Sequence, residues 1–212
     1  RDGAFGLVGS EMCIRDSLSS VAPGPSPRGC GASYRPGGAM LVRDADVADV
    51  DGLASCIVAS WLEAHRHQVP RDLWEHRRDN WTVEVSAAAW NRTLLEIAAE
   101  AAVRSHVLVA TELEMIVGLV MGTVNESGEG EVDALYVAPE HQGRGVGRRL
   151  LSASFERLRA AGAENARVVV LAANAPARQF YEHMGGSEAG SVEVDEDDEV
   201  LPATAYSWPL NP

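Results

Sequence analysis

Val132-Asp-Ala-Leu-Tyr-Val-Ala-Pro139 runs through Glu140 and His141 into Gln142-Gly-Arg-Gly-Val-Gly147, and Arg148-Arg-Leu-Leu151 follows. The apolar run predicts a strand, and the glycine-spaced turn after it predicts the start of a helix. Glycine at alternate positions removes the side chains that would keep a ligand away from the main chain. The N–H groups of a first helical turn have no acceptor within the helix, and the helix dipole adds roughly half a positive charge there. The segment therefore predicts a binding site for a phosphate or pyrophosphate group.

Two familiar phosphate loops are excluded by their spacing. A Walker loop ends in Gly-Lys-Ser/Thr, which this chain lacks. The dinucleotide pattern Gly-x-Gly-x-x-Gly fails as well, because its last position holds Arg148 when counted from Gly143. Counted from Gly145, that position holds Leu150. What remains is Gln142-x-x-Gly145-x-Gly147, which resembles the pyrophosphate loop of the GNAT family, the Gcn5-related N-acetyltransferases.

The segments around this loop resemble the same family. Leu135-Tyr-Val-Ala-Pro139 is similar to its fourth strand, and Arg167-Val-Val-Val-Leu171 has the β-branched composition of a buried parallel strand. Asn174, followed by Ala177-Arg-Gln-Phe-Tyr-Glu-His-Met-Gly-Gly186, is similar to the family signature Asn…Ala-x-x-x-Tyr-x-x-x-Gly. Ala205-Tyr-Ser-Trp-Pro-Leu210 resembles the closing strand. The chain is therefore identified as a GNAT-like domain.

This resemblance implies an α/β fold over residues 40–212. Its centre is a mixed, mostly antiparallel sheet of about seven strands, which is splayed between strands four and five and flanked by helices. Periodicity and turn signals predict a first helix capped by Asp46 or Asp49, and a broken helical region over residues 70–100. They also predict a helix over residues 143–161 and a short one over residues 175–184. The acidic residues 195–198 are interpreted as the solvated tip of the last hairpin.

Residues 1–39 read differently from the rest of the chain. They are rich in proline and glycine and show no helical or strand period. Gly9-Ser-Glu-Met-Cys-Ile-Arg-Asp16 looks like a translated sequencing adapter. A disordered or artefactual N-terminal extension is expected here, with Met40 as the natural start; a natural disordered tail is the alternative.

Composition excludes several classes of function. The chain has 212 residues, a net charge of −13 and a pI near 4.8, which argues against nucleic-acid binding. Cys13, Cys30 and Cys56 are odd in number and widely spaced, so neither a disulfide framework nor a zinc site is expected. Apolar runs fall well short of the roughly 20 residues of a membrane span. These observations predict a cytoplasmic protein without membrane contact.

Histidines raise the question of a metal. His65 and His67, with His76 nearby, have no cysteine or carboxylate in register with them, so no metal site is expected. Either these histidines border the acceptor pocket or they are exposed.

The resemblance also implies acetyl-CoA as co-substrate. Strand-four main chain would bind the acetyl and pantetheine groups, and the loop would bind the pyrophosphate. The expected CoA-binding residues are Leu135, Tyr136, Val137, Gln142, Gly143, Arg144, Gly145, Val146, Gly147, Arg148, Asn174 and Tyr181.

Tyr181 matches the family tyrosine that protonates the leaving thiolate, although an aromatic at this position could instead pack a helix on the sheet. Asn174 would order the pantetheine or the loop, or cap the following helix. Glu131 lies four residues before Leu135, where some members of the family carry a catalytic glutamate, so the resemblance implies it as the catalytic base. Asp133 shares its strand face by alternation, and both carboxylates could equally be solvated edge-strand residues.

The predicted function is transfer of the acetyl group of acetyl-CoA to a primary amine of a small molecule or peptide, by direct attack in a ternary complex. A non-catalytic acyl-CoA-binding sensor is the alternative from another class. An acyltransferase that uses longer acyl chains is a third interpretation. A homodimer is possible, and the sequence does not name the amine.

Overall fold

The computed structural model describes residues 40–99 and 104–210. The N-terminal extension expected at residues 1–39, with Cys13 and Cys30, lies outside the described residues. Within them the chain order is β1 (Leu41–Asp44), α1 (Val50–His65), α2 (Arg71–Asn80), α3 (Val83–Ala99), β2 (Ser105–Glu112), β3 (Met115–Val124), β4 (Gly130–Val137), α4 (Val146–Ala160), β5 (Asn165–Leu171), α5 (Ala175–His183), β6 (Ser187–Glu196) and β7 (Glu199–Pro209).

The described strands form one seven-stranded sheet in the order β1-β2-β3-β4-β5-β7-β6. Its neighbouring pairs are antiparallel except for β4 and β5, which are parallel. Helix α4 makes the crossover between these two parallel strands, as a parallel connection requires. The predicted mixed, mostly antiparallel sheet is confirmed.

The sheet splays where its two parallel strands meet. β4 and β5 pair at only two positions, Gly130 with Ala166 and Glu131 with Arg167, at the start of each strand. Beyond Glu131 the register between them ends, although both strands continue for several residues. The edge of β4 that faces β5 is therefore open from about Val132 onward, and the predicted splay between strands four and five is confirmed.

A β-bulge in β4 changes which side chains share a face. Ala134 lies opposite Met121 and Val132 lies opposite Gly122, so Asp133 is the extra residue. Val132, Leu135 and Val137 consequently pack in the core beneath α4. Ala134 and Tyr136 pack in the core beneath α1 and α3 on the opposite face.

Among the described residues there are three apolar clusters; one packs Leu73 of α2 against β5, β6 and β7, and the other two are larger. The α4 core includes Leu150, Leu151 and Leu158, each fully buried against the sheet. The α1–α3 core is built around Trp61 and Trp90. Burying each of these large side chains contributes roughly 1.5–3 kcal/mol, so the two cores fix both helical layers on the sheet between them.

The first helix begins where the sequence predicts. Asp46 accepts a hydrogen bond from the amide of Ala48 (2.7 Å), and its own amide donates to Asp49 (2.9 Å), which closes a capping box on a single 3-10 turn before α1. Arg43 donates two hydrogen bonds to Asp49 (2.6 and 2.8 Å) and holds the pKa of that carboxyl below its ordinary value. The glycine-led helix begins later than expected, at Val146 instead of residue 143.

The tip of the β6–β7 hairpin is only partly the solvated loop that its acidic sequence predicts, since Asp195, Asp197 and Asp198 are exposed. Glu196 is buried, and both Glu196 and Asp197 pair with the guanidinium of Arg77 on α2. That guanidinium also lies over the rings of Trp61 and Trp81, at 5.5 and 5.4 Å from their centroids. We call Arg77, Glu196, Asp197, Trp61 and Trp81 the Arg77 cluster. The interpretation as a solvated tip was wrong for Glu196, because a helix distant in sequence supplies its counter-charge.

Candidate functional site

The glycine-rich turn is held open by its backbone conformation. Gly143 and Gly145 have φ angles of +71° and +83°, in the left-handed region that favours glycine. A Cβ at either position would meet no protein atom within 4 Å, so crowding does not explain these glycines. Gly147 lies against the rings of α5, where a Cβ would be 3.4 Å from Phe180. The turn thus exposes main chain to open space.

Hydrogen bonding fixes this turn to the end of β4. The side-chain amide of Gln142 donates to the carbonyl of Val137 (3.1 Å), which closes the loop on its own strand. The amide of Arg149 donates to the carbonyl of Gly145 (3.1 Å) as the first bond of α4. The N–H groups of Val146, Gly147 and Arg148 therefore have no acceptor within the helix. They point out at the positive end of the helix dipole, where an anion is favoured.

A cavity of about 700 Å³ opens in front of this turn. It occupies the gap between the splayed strands and continues to the C-terminal end of α1. We call the side formed by β4, residues 142–148 and α5 the loop wall, and the side formed by residues 60–68 the α1 wall. Eleven of the residues expected from the sequence line the cavity together: Leu135, Tyr136, Val137, Gln142, Gly143, Gly145, Val146, Gly147, Arg148, Asn174 and Tyr181.

Two expected site residues lie apart from the cavity lining. The side chain of Arg144 is exposed on the turn. Glu131 lies where β4 and β5 are still paired, and its carboxylate accepts a hydrogen bond from Asn125 (3.3 Å). The roles assigned to these two residues stay predictions.

Tyr181 is both a core residue and a cavity residue. Its ring is 6% exposed and packs against Phe180, Trp208 and Tyr206, with centroid distances of 5.3, 5.9 and 6.1 Å. Burial raises the pKa of its phenol above the ordinary value, because a phenolate would lose its hydration. The group is therefore protonated at neutral pH and can act as a hydrogen-bond or proton donor.

Asn174 occupies the N-terminus of α5. Its side-chain oxygen accepts a hydrogen bond from the amide of Ala177 (3.2 Å), so it caps the helix that carries Tyr181. The capping role weighed from the sequence is present, and Asn174 also lines the cavity. Contact with a pantetheine group stays a prediction.

The α1 wall contains His65, for which the sequence left open either a place beside the acceptor pocket or an exposed position. His65 is 4% exposed; its Nδ1 donates to the carbonyl of Trp61 (3.0 Å), and its ring stacks on that indole with a centroid distance of 4.8 Å. Glu63 and Gln68 line the same wall. By contrast His67 and His76 are exposed. The signal for His65 was its i, i+4 spacing from Trp61 at a helix end.

His141 is a site residue that the sequence did not single out. It is buried at the start of the loop wall and lines the cavity. Its Nε2 lies 3.3 Å from Glu112 on β2, and its Nδ1 lies 3.8 Å from Glu140. This imidazole therefore joins the phosphate turn to the β2–β3 hairpin, a contact that no local pattern encodes.

Asp133, the bulge residue, is buried behind the cavity. Burial raises the pKa of its carboxyl to about 7, an effect partly offset by a hydrogen bond with the Thr123 side chain. Its Oδ2 has no hydrogen-bond partner among the described residues. Its neighbours Val132 and Ala134 line the cavity, but Asp133 does not.

The helices within residues 40–99 and 104–210 are relevant to membrane insertion. None of them is both long and apolar enough to cross a bilayer. No cluster of three or more His, Cys, Asp or Glu side chains among these residues could hold a metal ion. The expectation of a metal-free protein stays a prediction.

A family model described as the acetyltransferase (GNAT) family matches residues 68–186. That range includes the splayed strands, the phosphate turn and Tyr181. The chain belongs to the GNAT acetyltransferase family. A segment of 62 residues, 29% of this chain, is 42% identical to the mycothiol acetyltransferase of Beutenbergia cavernae. That segment covers only 21% of the mycothiol enzyme.

Solved GNAT structures share the fold. The PaiA N-acetyltransferase of Thermoplasma acidophilum, determined with coenzyme A, superposes with a TM-score of 0.61 at 16% identity. The alignment covers 81% of this GNAT chain and 99% of PaiA. The yncA protein of Salmonella typhimurium, determined with acetyl-CoA, gives 0.58 at 20% identity, with coverage of 81% and 94%. At these identities the likeness establishes the architecture alone.

Proposed function

We propose that this GNAT protein is an acetyl-CoA-dependent N-acetyltransferase that acylates a primary amine of a small molecule or peptide. The observation that carries the proposal is the convergence of three features on one cavity. They are the open amides of residues 146–148, the unpaired edge of β4, and the protonated phenol of Tyr181. Coenzyme A and acetyl-CoA in the structures of PaiA and yncA support the choice of ligand.

The loop wall fits the parts of an acyl-CoA in sequence. The first-turn amides and the helix dipole would hold the diphosphate, with the guanidinium of Arg148 adding positive charge. Main-chain groups at Leu135 and Val137 on the open strand would bond the pantetheine amides, as an added strand does. In this binding mode the thioester would lie near Tyr181, which lines the same cavity.

The chemistry requires the amine to be neutral when it attacks. An alkyl amine has a pKa near 10, so only about a thousandth of it is nucleophilic at neutral pH. The amine nitrogen attacks the acetyl carbonyl, the carbon–sulfur bond breaks, and the phenol of Tyr181 donates its proton to the departing sulfur. Holding two substrates in one geometry can supply several kcal/mol of the rate enhancement.

Binding and turnover are measured separately to test the proposal. Calorimetry with CoA and acetyl-CoA should show binding, and thiol release should follow when amines are added. Tyr181→Phe should lower kcat by about 100-fold, because a positioned proton donor contributes about that much. Its affinity for CoA should be nearly unchanged.

Tyr206→Phe is the matched control, because Tyr206 is also buried but donates to Glu182 (2.9 Å) and is not part of the cavity lining. It should keep normal kcat. Binding without thiol release on any amine would instead support the sensor. Release only with longer acyl-CoA donors would support the third interpretation.

A further inference from the structure

The proposed function leaves one task without an assigned group, which is removal of a proton from the incoming amine. Among the described residues that line the cavity, the titratable side chains are those of Glu63, His65, Tyr136, His141, Arg148 and Tyr181. A base has to lie within hydrogen-bond reach of the amine, so it should belong to this set.

Four of these groups are poor proton acceptors. The guanidinium of Arg148 stays charged in proteins. A tyrosine phenol ordinarily keeps its proton at neutral pH, so Tyr136 is a donor and not a base, and Tyr181 is held protonated by its burial. Glu63 is exposed to solvent at the outer end of the cavity, and an exposed carboxylate is a weak base in water.

His141 is engaged on both sides of its ring. Carboxylates lie 3.3 Å from its Nε2 and 3.8 Å from its Nδ1, contributed by Glu112 and Glu140. Each ring nitrogen thus lies near a carboxylate of the protein itself, a geometry that suits a positioning contact between the turn and β2 better than contact with a substrate amine.

His65 has the geometry of a base. A carbonyl oxygen can only accept, so the 3.0 Å contact between Nδ1 and the carbonyl of Trp61 requires the hydrogen to be on Nδ1. In the neutral ring, Nε2 then carries the lone pair. The stack on Trp61 fixes the orientation of the ring, and the side chain lines the cavity at the α1 wall.

Gln68, three residues beyond His65, provides a second acceptor on the same wall. Its Oε1 is buried and has no hydrogen-bond partner among the described residues. A buried carbonyl oxygen without a partner is costly, and an N–H donor from a ligand would remove that cost. A primary ammonium has three such donors.

We propose that His65 is the general base of the reaction: its Nε2 takes a proton from a primary ammonium that Gln68 holds through its Oε1. The proposal rests on the proposed function and narrows the acceptor to a primary alkyl amine that is cationic in solution. It specifies the amine group and leaves the rest of the acceptor molecule open.

The protons balance as follows. The ammonium gives one proton to His65, and the neutral nitrogen bonds to the acetyl carbon. The carbon–sulfur bond breaks, the electron pair stays on sulfur, and the sulfur takes the proton of Tyr181. The new amide nitrogen loses its extra proton, which restores the phenol, and His65 releases the first proton to solvent.

The surrounding charges come from several elements. Glu63 lies on α1, His141 on the turn after β4, Arg148 on α4 and Tyr181 on α5. The indole of Trp61, on which His65 stacks, also contacts the guanidinium of Arg77 on α2. The charge of Arg77 is in turn paired with Glu196 and Asp197 of the last hairpin. The pH dependence of a His65 variant therefore has to be compared with that of intact protein.

The test varies the basicity of the amine. His65→Gln should lower kcat/KM about 100-fold on an alkyl amine at neutral pH. With an amine of low basicity, already neutral at the assay pH, the loss should be under about 10-fold, since less deprotonation is needed. The rise of kcat/KM from acid to neutral pH on the alkyl amine should flatten in this variant.

Three further variants make the result specific. His67→Gln, an exposed histidine two residues away, should behave like the unchanged protein. Gln68→Leu should raise KM for the amine more than it lowers kcat. Glu131→Gln tests the base expected from sequence. The proposal is overturned if the acidic rise survives in His65→Gln, if it disappears in Glu131→Gln instead, or if both amines lose rate equally.

Affinity for CoA separates this proposal from the proposed function. Calorimetry on His65→Gln should give the Kd of the unchanged protein, which also shows that the variant is folded. If the unchanged protein binds CoA but turns over no amine, the proposed function and the His65 proposal are both overturned. If it turns over amines and His65→Gln passes the binding control without a selective loss, only the His65 proposal fails.

Discussion

The two walls of the cavity differ in the atoms that they present to a ligand. The loop wall offers main-chain amides and an open strand edge, with glycine wherever a side chain would intervene. The α1 wall offers side chains, among them His65, Glu63 and Gln68. Main-chain recognition restricts the sequence to residues that permit one backbone shape, whereas side-chain recognition can be built in many ways. Only the loop wall therefore has a readable motif.

The largest expected effect concerns the Arg77 cluster, which includes Trp61 of the α1 wall. Arg77→Met should lower the free energy of unfolding by about 3–5 kcal/mol, because it leaves the buried carboxylate of Glu196 without this counter-charge. Urea unfolding measures the loss. Restoring part of it with Arg77→Met/Glu196→Gln would show that the buried charge is the cause.

The same variant separates the walls functionally. KM for the amine should rise, because Arg77 contacts Trp61 of the α1 wall. The Kd for CoA should stay the same, because the cluster includes no residue of the phosphate turn. Arg78→Ala, whose side chain forms an exposed pair with Asp79, should cost under about 1 kcal/mol. Equal losses of amine and CoA binding in Arg77→Met would show that the walls are not independent.

A smaller effect is expected at Asp133, behind the β4 edge of the loop wall. Below pH 4 its carboxyl is protonated in the folded and unfolded chains alike. As pH rises from about 4 to about 7, the unfolded chain releases this proton first, so stability falls; above about 7 the cost is constant. The pKa values of about 7 and 3.8 correspond to roughly 4 kcal/mol.

Asp133→Asn should therefore be more stable than the unchanged protein at pH 8, by up to about 4 kcal/mol, and should match it at pH 4. Urea unfolding at the two pH values measures this. Asp51→Asn, an exposed change on α1, should alter stability by under about 0.5 kcal/mol at either pH. A destabilised Asp133→Asn at pH 8 would contradict the raised pKa.

The smallest effect tests whether the loop wall depends on main chain. Gly145→Ala introduces a Cβ at φ +83°, and Gly128→Ala does the same at φ +85° in the β3–β4 turn, away from the cavity. Each should lose roughly 1–2 kcal/mol of stability from the left-handed conformation. Calorimetry should show a CoA affinity about 10-fold lower for Gly145→Ala alone, since a Cβ there would occupy the open space beside the turn that is proposed to hold the diphosphate. Equal affinities in the two variants would contradict main-chain binding there.

The elements that the sequence predicted correctly are those with a local cause. The turn before α4 was readable because left-handed backbone favours glycine at Gly143 and Gly145. The cap at Asp46 was readable because a helix start needs a short acceptor side chain. Tyr181 was named through its match to the family signature, and the structure buries it on α5 in the cavity lining, while its role as proton donor stays a prediction.

The elements that were missed depend on contacts between distant residues. The bulge at Asp133 leaves no mark in the alternation of β4, because the extra residue is visible only against the partner strand. The pairing of Glu196 with Arg77 joins residues about 120 positions apart. The sequence named His65 as one of three histidines that could border the acceptor pocket, but it could not separate His65 from His67 and His76, because the stack on Trp61 is seen only in the structure.

The brief pairing of β4 with β5 has a consequence for handling the protein. Unsatisfied peptide groups along an open strand attract other chains, and such edges nucleate aggregates. A pantetheine arm lying along β4 would occupy those groups as a missing strand does. Under the proposed binding mode, storage with coenzyme A should then prolong solubility, so the ligand would also shield the sheet from self-association.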